Sequence, residues 1–149
     1  MNDKFVVLMN TLIFLIGKTP PRKEPQWFSK NPQDVTWVSI SDMGTCGLYI
    51  SSSSEQLTKA AIDRYNVKVV PDNTVLLSFK LTVGRIAITN GEMSTNEAIA
   101  HFKTNKKEIN EYLYCYLKYL TTNYGEYIFN CNSRKFKNNQ EYEIYYTYR

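Results

Sequence analysis

The 149-residue sequence predicts a single domain of the α+β class (mixed α/β), built on a twisted, mainly antiparallel sheet with a few helices. Three observations predict it. Thr74–Lys80 sets Val75, Leu77 and Phe79 on one face and Thr74, Leu76 and Ser78 on the other, and Arg85–Thr89 alternates with Ile86 and Ile88 inward. The bend Leu81-Thr82-Val83-Gly84 joins these two strands, with Gly84 giving the backbone freedom the bend needs. Further on, Ile109, Leu113, Tyr116, Leu117 and Leu120 recur at helical spacing.

Taken in order, the apolar run 5–16 is a core strand or helix. Gly17–Pro32 is a loop with prolines at 20, 21, 25 and 32 and the cations Lys18, Arg22, Lys23 and Lys30, a semi-rigid basic arm. Val35–Ile40 is a strand with Trp37 in the core, Asp42–Gly47 a turn, Leu48–Ile50 short and extended, and Ser51–Ser54 a polar loop. Thr58–Tyr65 is a brief helix with Thr58 as N-cap and Asn66 as its left-handed close. Asn90-Gly91 gives a hairpin-type turn, and the sheet segment ends near Phe102. Asn105 caps the clearest helix, with Glu108 reaching back to it. Residues 1–120 form the domain; 121–149 is an atypical Tyr/Lys/Asn-rich tail, ten of the twelve tyrosines lying beyond residue 111.

Composition narrows the partners. A formal charge of +4 and a pI near 8.9 lean towards an anionic partner, a mild signal shared by many proteins. Cys46, Cys115 and Cys131 are odd in number and widely spaced, which fits free thiols in a reducing compartment. With no C-x-x-C and a single histidine, no metal site is expected. The run 5–16 lacks a basic lead-in and a small-residue cleavage site and is too short to span a bilayer, so the protein reads as cytoplasmic, with no membrane partner.

Catalytic motifs fail residue by residue. Gly17-Lys18-Thr19 would need a glycine where Leu12 stands, and Pro20-Pro21 blocks the helix a phosphate loop requires. Pro71-Asp72 could open a metal-nuclease motif, yet no Asp or Glu is followed two places later by Lys. Asn31-Pro32-Gln33-Asp34 departs from an adenine-methyltransferase element at its third position. His101 has no recognisable nucleophile partner. The chain reads as non-enzymatic, with no catalytic residues.

The words Val70-Pro71-Asp72-Asn73-Thr74-Val75-Leu76-Leu77-Ser78, Gly84-Arg85-Ile86-Ala87-Ile88 and Asn96-Glu97-Ala98 stand in that order. With Gly17-Lys18-Thr19-Pro20-Pro21 and Trp37-Val38-Ser39-Ile40-Ser41-Asp42-Met43, they resemble the target-recognition domain of type I restriction–modification specificity (S) subunits, over roughly residues 17–120. Glu97 stands where that family usually has Gln.

The resemblance implies a DNA-binding specificity module that reads one half of a bipartite target in double-stranded DNA. A methyltransferase (modification) subunit and a restriction subunit would be its partners, and S-adenosylmethionine, ATP and Mg would belong to them, with no cofactor in this chain. The family's long spacer helix is not visible, so the chain looks truncated to a single recognition domain. Candidate DNA contacts are Lys18, Arg22, Lys23, Lys80, Thr82 and Arg85, with Lys80 and Arg85 flanking one exposed corner and Arg85 the best bidentate donor. Asn96 is expected to shape its own loop. Arg134, Lys135 and Lys137 among the tail aromatics could also meet nucleic acid. A truncated interaction protein, or a gene remnant that binds a methyltransferase or S partner without recognising DNA itself, stays open as the alternative.

Overall fold

The structure, a computed structural model, describes residues 14–102, 104 and 106–124. Its elements are β1 (Phe14–Ile16), a 3-10 turn (Pro25–Trp27), β2 (Phe28–Ser29), β3 (Val35–Val38), α1 (Ile40–Thr45), β4 (Tyr49–Ile50), β5 (Glu55–Leu57), α2 (Lys59–Tyr65), β6 (Val75–Ser78), β7 (Ile86–Thr89), β8 (Ser94–Thr95), β9 (Ile99–Phe102) and α3 (Lys107–Tyr124).

The expected mainly antiparallel strands divide between two sheets. A five-stranded sheet runs β1-β9-β6-β7-β4 and a four-stranded one β2-β5-β3-β8. Pairing is antiparallel except for β4 on β7 and β8 on β3. In the larger sheet Leu77 faces Ile86 on one side and Ala100 on the other, and Ile16 also faces Ala100.

Both faces of the larger sheet are covered. Val75, Leu77, Ile86, Ile88, Ala100 and Phe102 pack under Leu113, Leu117 and Leu120 of α3. Leu76, Ala87 and Ile99 on the opposite face meet Val38, Ile40, Met43, Ile50, Val70 and Met93. This second burial leaves β6, β7 and β9 buried at every position, so Leu76 and Ser78 are as enclosed as Val75. The outer face of the smaller sheet closes on α2 through Trp37, Leu57, Ala61 and Val67. Trp37 is 2% exposed.

Local signals account for the short helices. Thr58 Oγ1 accepts from the Ala61 N–H at 3.2 Å, and Asn66 ends α2 at φ 48. The segment expected as a turn at Asp42–Gly47 is instead helix α1 from Ile40. A capping box explains it: the Ser39 side chain accepts from the Asp42 N–H, and Asp42 accepts from the Ser39 N–H at 2.9 Å. Burial works to raise the Asp42 pKa, but hydrogen bonds from Ser39 and Ser54 outweigh it and lower it.

Three other expectations change. The 17–32 loop is ordered in part, since Phe28–Ser29 pairs with β5. Gly91 takes φ 102 as a turn glycine should, yet no hairpin follows, because β8 crosses to pair with β3. On α3 the inward stripe is Asn110, Leu113, Leu117 and Leu120, while Ile109 is exposed. The fully buried Asn110 donates to the Asn73 carbonyl at 2.5 Å and accepts from Thr104 Oγ1. The boundary expected at 120 falls inside α3, the Asn105 cap and residues 5–13 and 125–149 lie outside the described residues, and only Phe14–Ile16 of the 5–16 run is seen as a strand.

Candidate nucleic-acid interface

Strand register decides which loops share an end of the larger sheet. The Gly17 N–H donates to the Ile99 carbonyl at 3.2 Å as the chain leaves β1. On the other side of β9, Ser78 faces Ile99 and the Phe79 N–H donates to the Ala98 carbonyl at 3.0 Å as the chain leaves β6. The Ser78 N–H in turn donates to the Arg85 carbonyl at 2.9 Å, where β7 begins. Lys18, Lys80, Thr82 and Arg85 therefore stand at one end of the sheet. With neighbouring strands about 4.8 Å apart, β1 and β6 exit about 10 Å from each other and β7 starts one strand further on.

The 79–84 loop at this end hangs on one buried hydroxyl. Ser78 Oγ donates to the Thr82 carbonyl at 2.6 Å and accepts from the Arg85 N–H at 2.9 Å. Gly84, at φ 89, donates to the Ser78 carbonyl at 2.9 Å and lies against Thr121 near the end of α3. Lys80 is exposed, its Nζ 5.3 Å from the centre of the Phe79 ring, and Thr82 is exposed beside it. Arg85 does not stand out at the corner as expected. It is half-buried, lies over Gly44 of α1, and donates from Nη1 to the Ile40 carbonyl at 2.6 Å. Its partner is a backbone carbonyl across the interior, rather than the neighbouring carboxylate an exposed arginine commonly finds.

Across β9, Gly17 is held tight. A Cβ there would collide with Thr95 and the Asn96 carbonyl, and the Lys18 N–H donates to the Thr95 carbonyl at 2.9 Å. Asn96 does shape its own turn, accepting from the Ala98 N–H at 3.0 Å. Thr19 donates to the Glu97 carboxylate, so one acid sits among these cations.

Lys18 links this end to the smaller sheet, because its carbonyl accepts from Trp37 Nε1 at 3.3 Å. Arg22 lies across that sheet, its guanidinium 4.2 Å from the Phe28 ring centre and 4.5 Å from that of Trp37. It also pairs with Glu55 at 2.7 Å, an exposed ion pair of small net value. Lys23 is exposed at the Pro21–Glu24 turn. The six candidates thus fall into two groups, Lys80, Thr82 and Arg85 beyond β9 and Arg22 with Lys23 on the smaller sheet, with Lys18 between them.

Two features lack a sequence signal. Ser78 reads as one more strand residue, although its hydroxyl ties Thr82 and Arg85 together across the loop. His101, 2% exposed on the inner face, has Nε2 2.6 Å from Thr95 Oγ1. Thr95 Oγ1 donates to the Asn96 carbonyl at 3.1 Å, so the consistent tautomer carries its proton on Nε2 and leaves Nδ1 as an unpaired acceptor. Burial lowers the His101 pKa to about 4. Asp72 of the rejected nuclease motif accepts from the Gly91 N–H at 2.8 Å. Among the described residues no His/Cys/Asp/Glu cluster could hold a metal, and no helix is long and apolar enough to cross a membrane.

Known proteins share this architecture. The chain is similar to the HsdS subunit from Thermoanaerobacter tengcongensis (TM-score 0.57, 17% identity, 76% of this chain and 27% of that one). It is also similar to a chain in a structure concerned with complex assembly and conformational transition of the type I R-M system (TM-score 0.59, 18% identity, 78% and 27%). At such identities the likeness shows the fold alone. In sequence it is 26% identical over 113 residues to the type I restriction enzyme MjaIX specificity subunit of Methanocaldococcus jannaschii, covering 75% of this chain and 25% of that protein. It is 25% identical over 104 residues to the HindI specificity subunit of Haemophilus influenzae, covering 70% and 22%. The chain therefore spans about a quarter of the length of these relatives. The profile of the family described as type I restriction modification DNA specificity domain matches residues 13–146, nearly the whole sequence, and the chain belongs to that family.

Proposed function

We propose that this chain is a DNA-recognition module that reads one half of a bipartite target for a type I restriction–modification complex. The observation that carries this is the gathering of Lys18, Lys80, Thr82 and Arg85 at one end of a sheet buried on both faces. A rigid scaffold presenting loops at one end suits recognition, because loops can vary while the scaffold holds their spacing. Lys18, Lys23 and Lys80 supply charge to phosphates from flexible stems, whereas the Arg22 guanidinium is paired with Glu55 and that of Arg85 is held on the Ile40 carbonyl. Thr82 stands where a hydroxyl could reach a base edge.

In this reading the chain carries no catalytic group and no cofactor. Methylation with S-adenosylmethionine and cleavage with ATP and Mg belong to modification and restriction subunits in the cytoplasm. The relatives' names as specificity subunits and the family match support it.

The test is recovery of the full chain with its modification subunit, followed by duplex DNA binding across a salt series. Three lysine–phosphate contacts would give a log–log slope of about −3. A folded chain that recovers no subunit and binds no duplex would contradict the proposal.

A further inference from the structure

Leu81 stands at the tip of the β6–β7 loop with φ 61 and is 89% exposed. Both choices are unfavourable for leucine. A left-handed backbone crowds any Cβ, and an exposed leucine leaves its apolar surface in water. The other non-glycine positions at positive φ among the described residues are Asn66 and Asn73, a type that tolerates the region. Among the described residues the next most exposed large hydrophobic, Tyr112, is 66% exposed.

The loop holds this conformation firmly. Bonds from Ser78 to Thr82 and Arg85, from Gly84 to Ser78 and from Phe79 to Ala98 bracket Leu81 on both sides. Phe79 and Val83 turn into the core, which leaves Leu81 as the loop's one outward apolar side chain, between exposed Lys80 and Thr82. A strained residue that its surroundings keep in place points to use at a binding surface. A protein partner would call for a contiguous apolar patch, whereas here a single leucine stands among cations.

We propose that Leu81 is a specificity-determining residue that makes an apolar contact with a base pair of the DNA, while Lys80 and Lys18 anchor the flanking phosphates. This rests on the reading that this end of the sheet faces DNA. The partner chemistry exists on the duplex: thymine offers a methyl group in the major groove, and apolar side chains also wedge against base steps.

The experiment selects bound sequences from a random duplex pool, using the full chain with its modification subunit, as wild type and as Leu81→Gly. Glycine accepts φ 61, so the variant keeps the loop, and its melting temperature stays equal or rises. The expected result is a wild-type motif that survives in Leu81→Gly except at one or two adjacent positions. There base preference falls about tenfold, with the salt slope unchanged. An identical motif with equal preference at every position would overturn the proposal. So would a Leu81→Gly chain that recovers less modification subunit but selects the unchanged motif, which would make Leu81 a protein contact. A wild-type complex that enriches no sequence would overturn the recognition reading itself, and this inference with it.

Discussion

The two ends of the five-stranded sheet are finished differently. At the end where β6 begins, buried polar groups knit the connections together. Thr89 Oγ1 accepts from the Thr74 N–H at 2.8 Å and donates to the Pro71 carbonyl at 2.9 Å, and Asn110 ties α3 to Asn73 and Thr104. Charges there are mixed: Asp72 and Glu111 spend their carboxylates on Gly91 and on the Tyr49 hydroxyl, while Lys106 and Lys107 are exposed nearby. At the end where β6 finishes, the Ser78 hydroxyl and the Phe79 N–H hold a loop that carries an exposed leucine at positive φ, with exposed Lys18 and Lys80 near it. One end spends its polar groups on the fold. The other keeps charge and strain at the surface.

If that contrast is right, the largest effect on stability comes from the knitted end. Asn110→Ala leaves the Asn73 carbonyl unpaired and opens a cavity under α3, costing about 3 kcal/mol in chemical denaturation. A loss below about 1 kcal/mol would show that α3 is held by Leu113, Leu117 and Leu120 alone.

Between the ends, His101 adds a pH dependence. Its folded pKa of about 4 lies below the ordinary 6.5, so the unfolded chain binds the extra proton in that window. The contribution is complete above pH 6.5 and is lost as pH falls towards 4, about 3 kcal/mol in all. Urea unfolding at pH 7.5 and pH 5 should show His101→Gln losing less stability between the two than wild type. Equal losses would mean that His101 is protonated freely in the folded state.

Ser78→Ala tests the hinge of the open end. Thr82 loses a donor and Arg85 an acceptor inside the protein, at about 1–3 kcal/mol, and DNA affinity falls with the loop's order. Lys80→Ala, the mildest change, should leave stability within about 0.5 kcal/mol and make the salt slope of DNA binding shallower by about 1. An unchanged slope would remove Lys80 from the phosphate contacts.

What could be read from the sequence follows the same division between local and distant causes. The β6 and β7 alternation, the Thr58 cap and the left-handed Asn66 depend on neighbours within a few residues, and each formed as expected. The split into two sheets did not show, because β2, β4, β5 and β8 are two or three residues long and carry almost no periodicity. Asn90-Gly91 made its turn, but a turn does not choose the partner of the strand after it. Asn110 took the inward position expected of Ile109 because its acceptor, the Asn73 carbonyl, lies 37 residues earlier. Arg85 was legible as a cation beside a bend. Its inward course was not, since the Ile40 carbonyl it meets is 45 residues away.

The most direct measurement compares the two ends as DNA surfaces. Duplex binding by the full chain with its modification subunit is followed across a salt series for Lys18→Ala/Lys80→Ala and for Lys106→Ala/Lys107→Ala. The account predicts a slope shallower by about 2 for the first pair and unchanged for the second. The reverse pattern, with the loss at Lys106 and Lys107, would contradict it and put the DNA at the knitted end.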